Sequence, residues 1–512
     1  MSRKIGVASL IWGVSILLSR VVGIVRESVI GRTMGGGADA DVYWSAFVLP
    51  DFLNYLLAGG ALSLVFIPIF SGYLGRDDEA GGWNAFSVIS TFLIAAMSLL
   101  IVGLWFAAPQ LATVVAPGFS PEQHEDLVRL TRIILPAQLF HFQGGLLSAT
   151  LQARDKHLLP ALAPLLYTAS IVIFGVALFG SLGVDSFAWG VLVGSVLGPF
   201  GLPLIGNIRA GMRWRLNLDL RHPDFRSYLL LSLPVMLGFS VVVVDDWMFK
   251  RFGSATEGLV SQLQYAKTLM KVPMGVFGLA TGVAAFPTLS RLLAAGEREK
   301  AWATLVRAAR LMLVMAFTAQ AAVTAAGEEI ATVIWGTARF GESELQAIGL
   351  YTGLLCLGLG AWSAQSLIAR GFYAMQNTWA PTVVGSIAML LAYPVYSWAG
   401  ANHGGVGLAL TSSATITIYV IALSTMLRRR LGGAGPRISP VVLRMAPAAL
   451  IGWAAGEGVS MVVELPHGVL GALVEGSLAG GVALCATLLA GWALRVEEIG
   501  EVVSMVRRRV AR

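Results

Sequence analysis

The chain has 512 residues, 56% of them hydrophobic and 13% charged, against about 25% charged in an ordinary soluble domain, so it cannot build a water-facing surface. A net charge of +7 is compatible with nucleic acid, but the basic residues follow alternating loops as membrane topology requires, and no nucleic-acid partner is expected. Only two cysteines, Cys356 and Cys485, are present, both in apolar stretches, which excludes a disulfide framework or a cysteine metal cluster; no metal or cofactor is expected.

In chain order, about fourteen apolar stretches approach the roughly 20 residues that a helix needs to cross hydrocarbon. They lie near 5–32, 43–74, 86–115, 124–151, 158–182, 185–208, 226–252, 257–290, 302–335, 344–373, 379–399, 404–427, 438–463 and 468–495. The runs are continuously apolar and show no barrel-strand alternation, so the expected class is an all-α polytopic membrane protein. Arg3 and Lys4 precede the first run, but no small-residue cleavage site follows and Arg20 interrupts it, so it reads as a retained helix.

One set of loops carries Arg76; Arg154 and Lys156; Arg209, Arg213, Arg215 and Arg221; Arg291, Arg298 and Lys300; Arg428, Arg429, Arg430 and Arg437; and the tail Arg507, Arg508, Arg509 and Arg512. The opposite set holds little beyond Arg339. Both termini are therefore expected on the cytoplasmic side of a bacterial inner membrane. The basic tail is expected to meet anionic phospholipids.

Ionisable residues inside spans cost about 2.5–3.5 kcal/mol each and mark polar interiors. The first span holds Arg20, Arg26 and Glu27; Arg20 lies about 22 Å along it. Arg20 and Glu27, seven apart, share a helix face, so the plain alternative to a cavity role is an internal ion pair. In the fourth span His141, beside Gln138 and Gln143, reads as an interhelical hydrogen-bonder rather than a proton relay. The seventh span offers Asp245 and Asp246, and the eighth Lys267 and Lys271, four apart on one face and about 15–21 Å in. Two readings stand for these four, carboxylates neutralising lysines or a direct substrate role, and they are compatible if substrate binding exchanges the partners. Arg20, Arg26, Lys267 and Lys271 together describe a cationic chamber between two halves, suited to a phosphate or diphosphate head.

The chain also repeats itself at an offset of about 220 residues. The segment from Ala112 returns from Ala331, that from Leu151 returns in outline from Phe372, and Pro50 and Pro68 have counterparts at Pro273 and Pro287. Six spans per half predicts two six-helix lobes, 1–222 and 223–432, related by a pseudo-twofold along the membrane normal, with 433–512 adding two helices and the tail. Pro50 and Pro273, at equivalent positions, are the expected hinges; Pro136 and Pro234 read as ordinary packing prolines.

Several ordered motifs now carry a resemblance: SRVVGIVRESVIGR from Ser19, DVYWSAFVLPDFLNYLLAGGALSLVFIPIFSGYL from Asp41, APGFSPEQ from Ala116, LPALAPLL from Leu159, VPMGVFGLATGVAAFPTLSR from Val272 and ARGFYAMQNTWAPT from Ala369. Over about residues 8 to 430 the chain resembles the MurJ (MviN) lipid II flippases of the MOP exporter superfamily. The resemblance implies fourteen helices, with the last two often forming a lipid-facing groove. It implies alternating access that carries an undecaprenyl-diphosphate-linked disaccharide pentapeptide outward for peptidoglycan synthesis; cell-wall synthesis proteins as partners and a monomeric state are expected. Its cavity arginines fall on Arg20 and Arg26 and their acidic neighbour on Glu27; Asp41 joins the gating or ion-pair set with Asp245 and Asp246. Departures are Asn54 where an arginine is usual, Gly59 for a glutamate, Lys267 and Thr268 for an Asp-Arg pair, and Lys271 for a glutamate, so Asn54 and Thr268 enter the substrate set as replacements. A sodium site on the seventh and eleventh helices is not carried over, because Val383 to Trp398 contains no Asp, Asn or Glu.

A flippase for lipid II is thus the leading expectation, beside an exporter of another polyprenyl-diphosphate glycan and a non-transporting envelope scaffold. An enzyme is not expected: no zinc-ligand pair, nucleophile elbow, Walker loop or His-carboxylate cluster is found, and Gly35 to Gly37 reads as an external turn.

Overall fold

The computed structural model describes the backbone of residues 2–58, 61–236, 241–336, 339–375, 377, 379–431, 435–463, 465 and 468–500. Side chains are described from residue 18 onward, apart from 56–64, 231, 233–240, 276–287, 290 and the backbone gaps. Gly59 and the tail arginines Arg507, Arg508, Arg509 and Arg512 fall outside the described residues, as do the side chains of Pro234 and Pro287. Every regular element among the described residues is a helix, and contacts divide the chain into two compact units, Met1–Gly258 and Leu259–Arg512.

The first unit contains α1 (Ser2–Met34), α2 (Ala38–Ser45), α3 (Val48–Ala58), α4 (Ala61–Leu74), α5 (Glu79–Val115), α6 (Pro121–Ile134), α7 (Ala137–Ala153), α8 (Leu158–Leu182), α9 (Asp185–Ser195), a π-helical turn Val196–Gly201, α10 (Leu202–Arg209), α11 (Pro223–Met236) and α12 (Val241–Gly253). The stretches 86–115 and 158–182 are the continuous helices α5 and α8. Others are broken where a proline or a turn interrupts the hydrogen-bond ladder. The stretch 43–74 divides among α2, α3 and α4, with Pro50 in the first turn of α3, where a missing N–H costs nothing. The stretch 124–151 divides into α6 and α7 beside Pro136. α6 opens with a capping box: Ser120 Oγ accepts from Gln123 N at 3.2 Å and Gln123 Oε1 accepts from Ser120 N at 2.9 Å.

Aromatic packing forms the core of this unit. Phe66, Phe70, Trp83, Phe86 and Phe142 are buried together with Ile89, Leu93, Met97 and Leu146. Between helices two amide side chains are matched: Gln143 Nε2 donates to Ser90 O at 3.2 Å and Ser90 Oγ to Gln143 Oε1 at 2.8 Å, while Asn207 Nδ2 donates to Leu147 O and Pro203 O, each at 2.8 Å. Such pairing is obligatory where no water is available. Gly144 permits the π-turn to pass, because a Cβ there would stand 2.0 Å from Pro199 O.

The second unit contains α13 (Leu259–Ala294), α14 (Arg298–Ala325), α15 (Gly327–Trp335), α16 (Glu342–Cys356), α17 (Leu359–Ala374), α18 (Trp379–Arg430), α19 (Ser439–Val462) and α20 (Val469–Ala493). The expected span 302–335 stops at Ala325, and a separate short helix starts at Gly327. Within α18 the chain breaks at Gly404, whose φ of +52° an L-residue seldom adopts. The two arms fold back on each other, since Tyr419 OH donates to Pro381 O at 3.2 Å; they are the expected eleventh and twelfth spans. Close approach of α19 and α20 needs glycine, as a Cβ on Gly452 would meet Thr487 Oγ1 at 1.9 Å.

Among the described residues, six helices are long and apolar enough to cross a membrane, and α16 with α17, bent by 44°, makes a seventh when counted as one span. The protein is a multi-pass membrane protein.

Candidate functional site

In the first unit, α1 carries the expected charges along α8, against which it packs. Arg26 Nη2 donates to Glu27 Oε1 at 2.5 Å, with side-chain exposures of 27% and 7%. Consecutive helical residues point to different faces, so this ion pair forms by the long guanidinium arm folding round the helix. Arg20 is half-buried and makes no ion pair or hydrogen bond among the described residues. Among the described residues Glu27 pairs with Arg26 rather than Arg20, so the internal ion pair that stood as the alternative to a cavity role for Arg20 does not form.

Asp41 on α2 is buried, and its Oδ2 accepts from Gly258 N at 2.6 Å. Two further contacts tie this end of α12 to the end of α5: Gly118 N donates to Ser254 Oγ at 3.0 Å, and Arg251 Nη1 donates to Val114 O at 2.5 Å. Asp41 thus holds backbone at the end of the unit, a fastening role. On α12 Asp245 is buried and Asp246 half-buried. Lys250, four residues beyond Asp246, is buried as well; the sequence reading passed over it, although its i,i+4 spacing from a carboxylate was visible. Asn54 is exposed on α3. His141 Nε2 lies 2.9 Å from Ser195 Oγ, with its ring edge-on to Tyr167, which is the interhelical hydrogen bond expected of it.

In the second unit, α13 presents Lys267 and Lys271 one turn apart. Lys267 is 1% exposed and its Nζ lies 5.2 Å from the centre of the Trp362 ring on α17. A desolvated ammonium over an indole gains about 2 kcal/mol, comparable with the cost of placing the charge in the membrane. Lys271 is half-buried. Thr268 Oγ1 donates to Gln264 O at 3.0 Å, so its hydroxyl proton is used within its own helix. Pro273 lies in the interior of α13, with helix on both sides of it. Trp362, the ring beneath Lys267, was missed by the sequence reading because nothing in a single apolar stretch marks which tryptophan faces a cation.

The second unit also encloses a cavity of about 1460 Å³ walled by α14, α15, α16, α19 and α20. Phe317, Leu350, Leu354, Leu450 and Trp453 give it an apolar wall, and Glu328, Glu329, Glu342, Glu457 and Glu475 line it with carboxylates. Glu329, bonded by Ser460 Oγ at 3.3 Å, is held above the usual carboxylate range by burial first and by the negative charge of Glu475. Burial raises Glu328 in the same direction, aided by Glu342, Glu475 and Glu457.

Residues 30–475 match the family model described as lipid II flippase MurJ. A probable lipid II flippase MurJ of Rhizobium tropici is 26% identical over 403 residues, 76% of this chain and 75% of that protein. The lipid II flippase MurJ of Burkholderia cenocepacia is 27% identical over 431 residues, 81% of this chain and 82% of that protein. Among solved structures, a lipid II flippase MurJ in an inward closed conformation shares the fold with a TM-score of 0.77 at 20% identity, covering 94% of this chain and 98% of that one. An inward-facing multidrug resistance MATE family transporter of the MOP superfamily follows with 0.67 at 13% identity, covering 83% and 98%. With a family model spanning most of its length, the chain belongs to the lipid II flippase MurJ family.

Proposed function

We propose that this protein moves lipid II, an undecaprenyl-diphosphate-linked peptidoglycan precursor, from the inner to the outer leaflet of the bacterial cytoplasmic membrane by alternating access. The observation that carries the reading is that basic side chains sit within the apolar helices of a lipid II flippase family member, with Lys267 fully buried and Arg26 mostly so. A cation inside the membrane is costly, and an anionic head that must pass hydrocarbon gives it a use. Arg20, Arg26, Lys267 and Lys271 are the cations assigned to the diphosphate, with Asn54 and Thr268 replacing family groups; Glu27, Asp245 and Asp246 are their exchangeable partners, and Pro50 and Pro273 the hinges. The apolar wall of the α14–α20 cavity suits a prenyl tail. Fourteen spans in two six-helix lobes, 1–222 and 223–432, plus two helices, with both termini cytoplasmic and a monomeric state, complete the proposal.

The substitutions at Asn54, Lys267, Thr268 and Lys271 favour a second reading, in which the head group is another polyprenyl-diphosphate glycan. Depletion in the native host separates them. Arrest of wall synthesis with lipid II retained in the inner leaflet supports the first, and normal lipid II export removes it. No catalytic role is assigned.

A further inference from the structure

At the end of the first unit opposite its basic loops, a groove of about 670 Å³ opens between α5, α6 and α9, with Trp105, Pro109, Arg129, Arg132, Pro136 and Trp189 among its walls. Pro109 lacks an N–H, so the carbonyl of Trp105, four residues earlier, loses its helical donor. Arg132 fills that vacancy: its Nε donates to Trp105 O at 3.1 Å, and its guanidinium lies 4.3 Å from the centre of the Trp105 ring. Among the described residues this is the only hydrogen bond Arg132 makes. Both terminal nitrogens of a rigid, charged fork are left to face the groove.

Arg129, by contrast, is paired with carboxylates. Its Nε donates to both oxygens of Asp185, at 3.1 and 2.9 Å, and its Nη1 meets Asp126 at 2.6 Å. His124 is half-buried, and Glu125, also on the wall, is exposed two turns from Arg132. Among the described residues of the groove wall, Arg132 is therefore the guanidinium that meets no carboxylate, and it stands beside indoles.

Its depth follows from α5, whose 37 residues span about 55 Å, well beyond the roughly 30 Å hydrocarbon core. Trp105 stands about ten residues, or 15 Å, before the end of that helix. Trp105 and Trp189 are 38% and 42% exposed, and neighbouring Phe106 and Val102 are exposed as well. Exposed tryptophans on an apolar face mark the headgroup level of a leaflet. The side opposite the basic loops is the outer leaflet.

We propose that this groove binds the phosphodiester of an anionic glycerophospholipid of the outer leaflet, phosphatidylglycerol being the simplest, with the Nη groups of Arg132 as donors and Trp105 and Trp189 flanking the glycerol. A single free fork matches a singly charged phosphodiester; a diphosphate carries more charge than one guanidinium balances. The inference is independent of which glycan lipid is transported.

The test is native mass spectrometry of the purified full-length protein titrated with phosphatidylglycerol or with diacylglycerol of the same acyl chains. Phosphatidylglycerol is expected to bind about tenfold tighter than diacylglycerol, the worth of a charge-assisted contact, and Arg132→Gln is expected to erase that preference. Because Arg132→Gln also uncaps Trp105 O, Leu192→Trp, which fills the groove and leaves the cap intact, serves as the second variant and is expected to weaken binding as much. Equal affinity for the two lipids, undiminished binding by a folded Arg132→Gln or by Leu192→Trp, or displacement of the lipid by millimolar inorganic phosphate would overturn the proposal.

Discussion

Arg26 and Lys267 are both cations set in apolar helices, and the protein houses them in different ways. Arg26 keeps a carboxylate as its sequence neighbour and retains some exposure; Lys267 is withdrawn from solvent altogether and lies over an indole face. A carboxylate cancels the positive charge and must be displaced before an anion can use the guanidinium. An aromatic face steadies an ammonium without removing its charge. Two cations assigned to one anionic head are thus bordered differently, one by the carboxylate of its sequence neighbour and one by an aromatic ring.

The largest expected effect is at Lys267. Lys267→Ala should lower transport about 10- to 100-fold, the loss of one charge-assisted contact to a phosphate, and Lys267→Arg should recover part of it; a transport assay that finds the alanine variant as active as wild type breaks the comparison at its second half. Next comes Arg26. Arg26→Ala leaves Glu27 buried beside the gap, so the double change with Glu27→Gln should melt at higher temperature than the single one, with a coupling of about 1–3 kcal/mol. Strict additivity in a thermal melt would mean that the pair is not interacting. Smaller again is Trp362→Leu, expected to weaken transport about fivefold through loss of the cation–π contact while leaving Arg26-dependent behaviour untouched.

The smallest effect concerns carboxylates that share walls with no basic side chain among the described residues. Glu329 holds its proton more tightly in the fold than in the unfolded chain, so the folded protein binds more protons between the ordinary carboxylate value and the raised one. Stability should therefore fall as pH rises through that window, and Glu329→Gln should flatten the slope. A steeper slope in the variant would reverse the assignment.

Much of the fold was legible because lipid demands continuous apolar helices: α5, α8 and α20 follow the hydropathy closely. The breaks were less so. Pro136 and Pro109 are both prolines in apolar runs, yet one stands at a helix break and the other lies within a continuous helix, where Arg132 donates to the carbonyl that Pro109 leaves without a helical partner. The expected ninth span breaks at Ala326, and Gly327, which opens the next helix, sits where a Cβ would meet Gly349 O at 2.9 Å. The site was legible as residue types and depth, since an intramembrane Arg or Lys is rare enough to notice. Partner choice was not. Face-sharing arguments pointed Glu27 towards Arg20, but a flexible guanidinium reached it from the adjacent position, and nothing local to α13 named Trp362 as the ring under Lys267.

Cations set within the apolar helices, Arg20 and Lys267 among them, are assigned to the anionic head of a lipid-linked glycan. Reconstitution of wild-type, Arg20→Ala and Lys267→Ala proteins in liposomes with defined lipid-linked glycans tests that assignment most directly, by measuring how much labelled lipid II reaches the opposite leaflet. Transport by the wild type that collapses in both correctly folded variants is the expected result. Lipid II crossing at wild-type rates in both variants would contradict it.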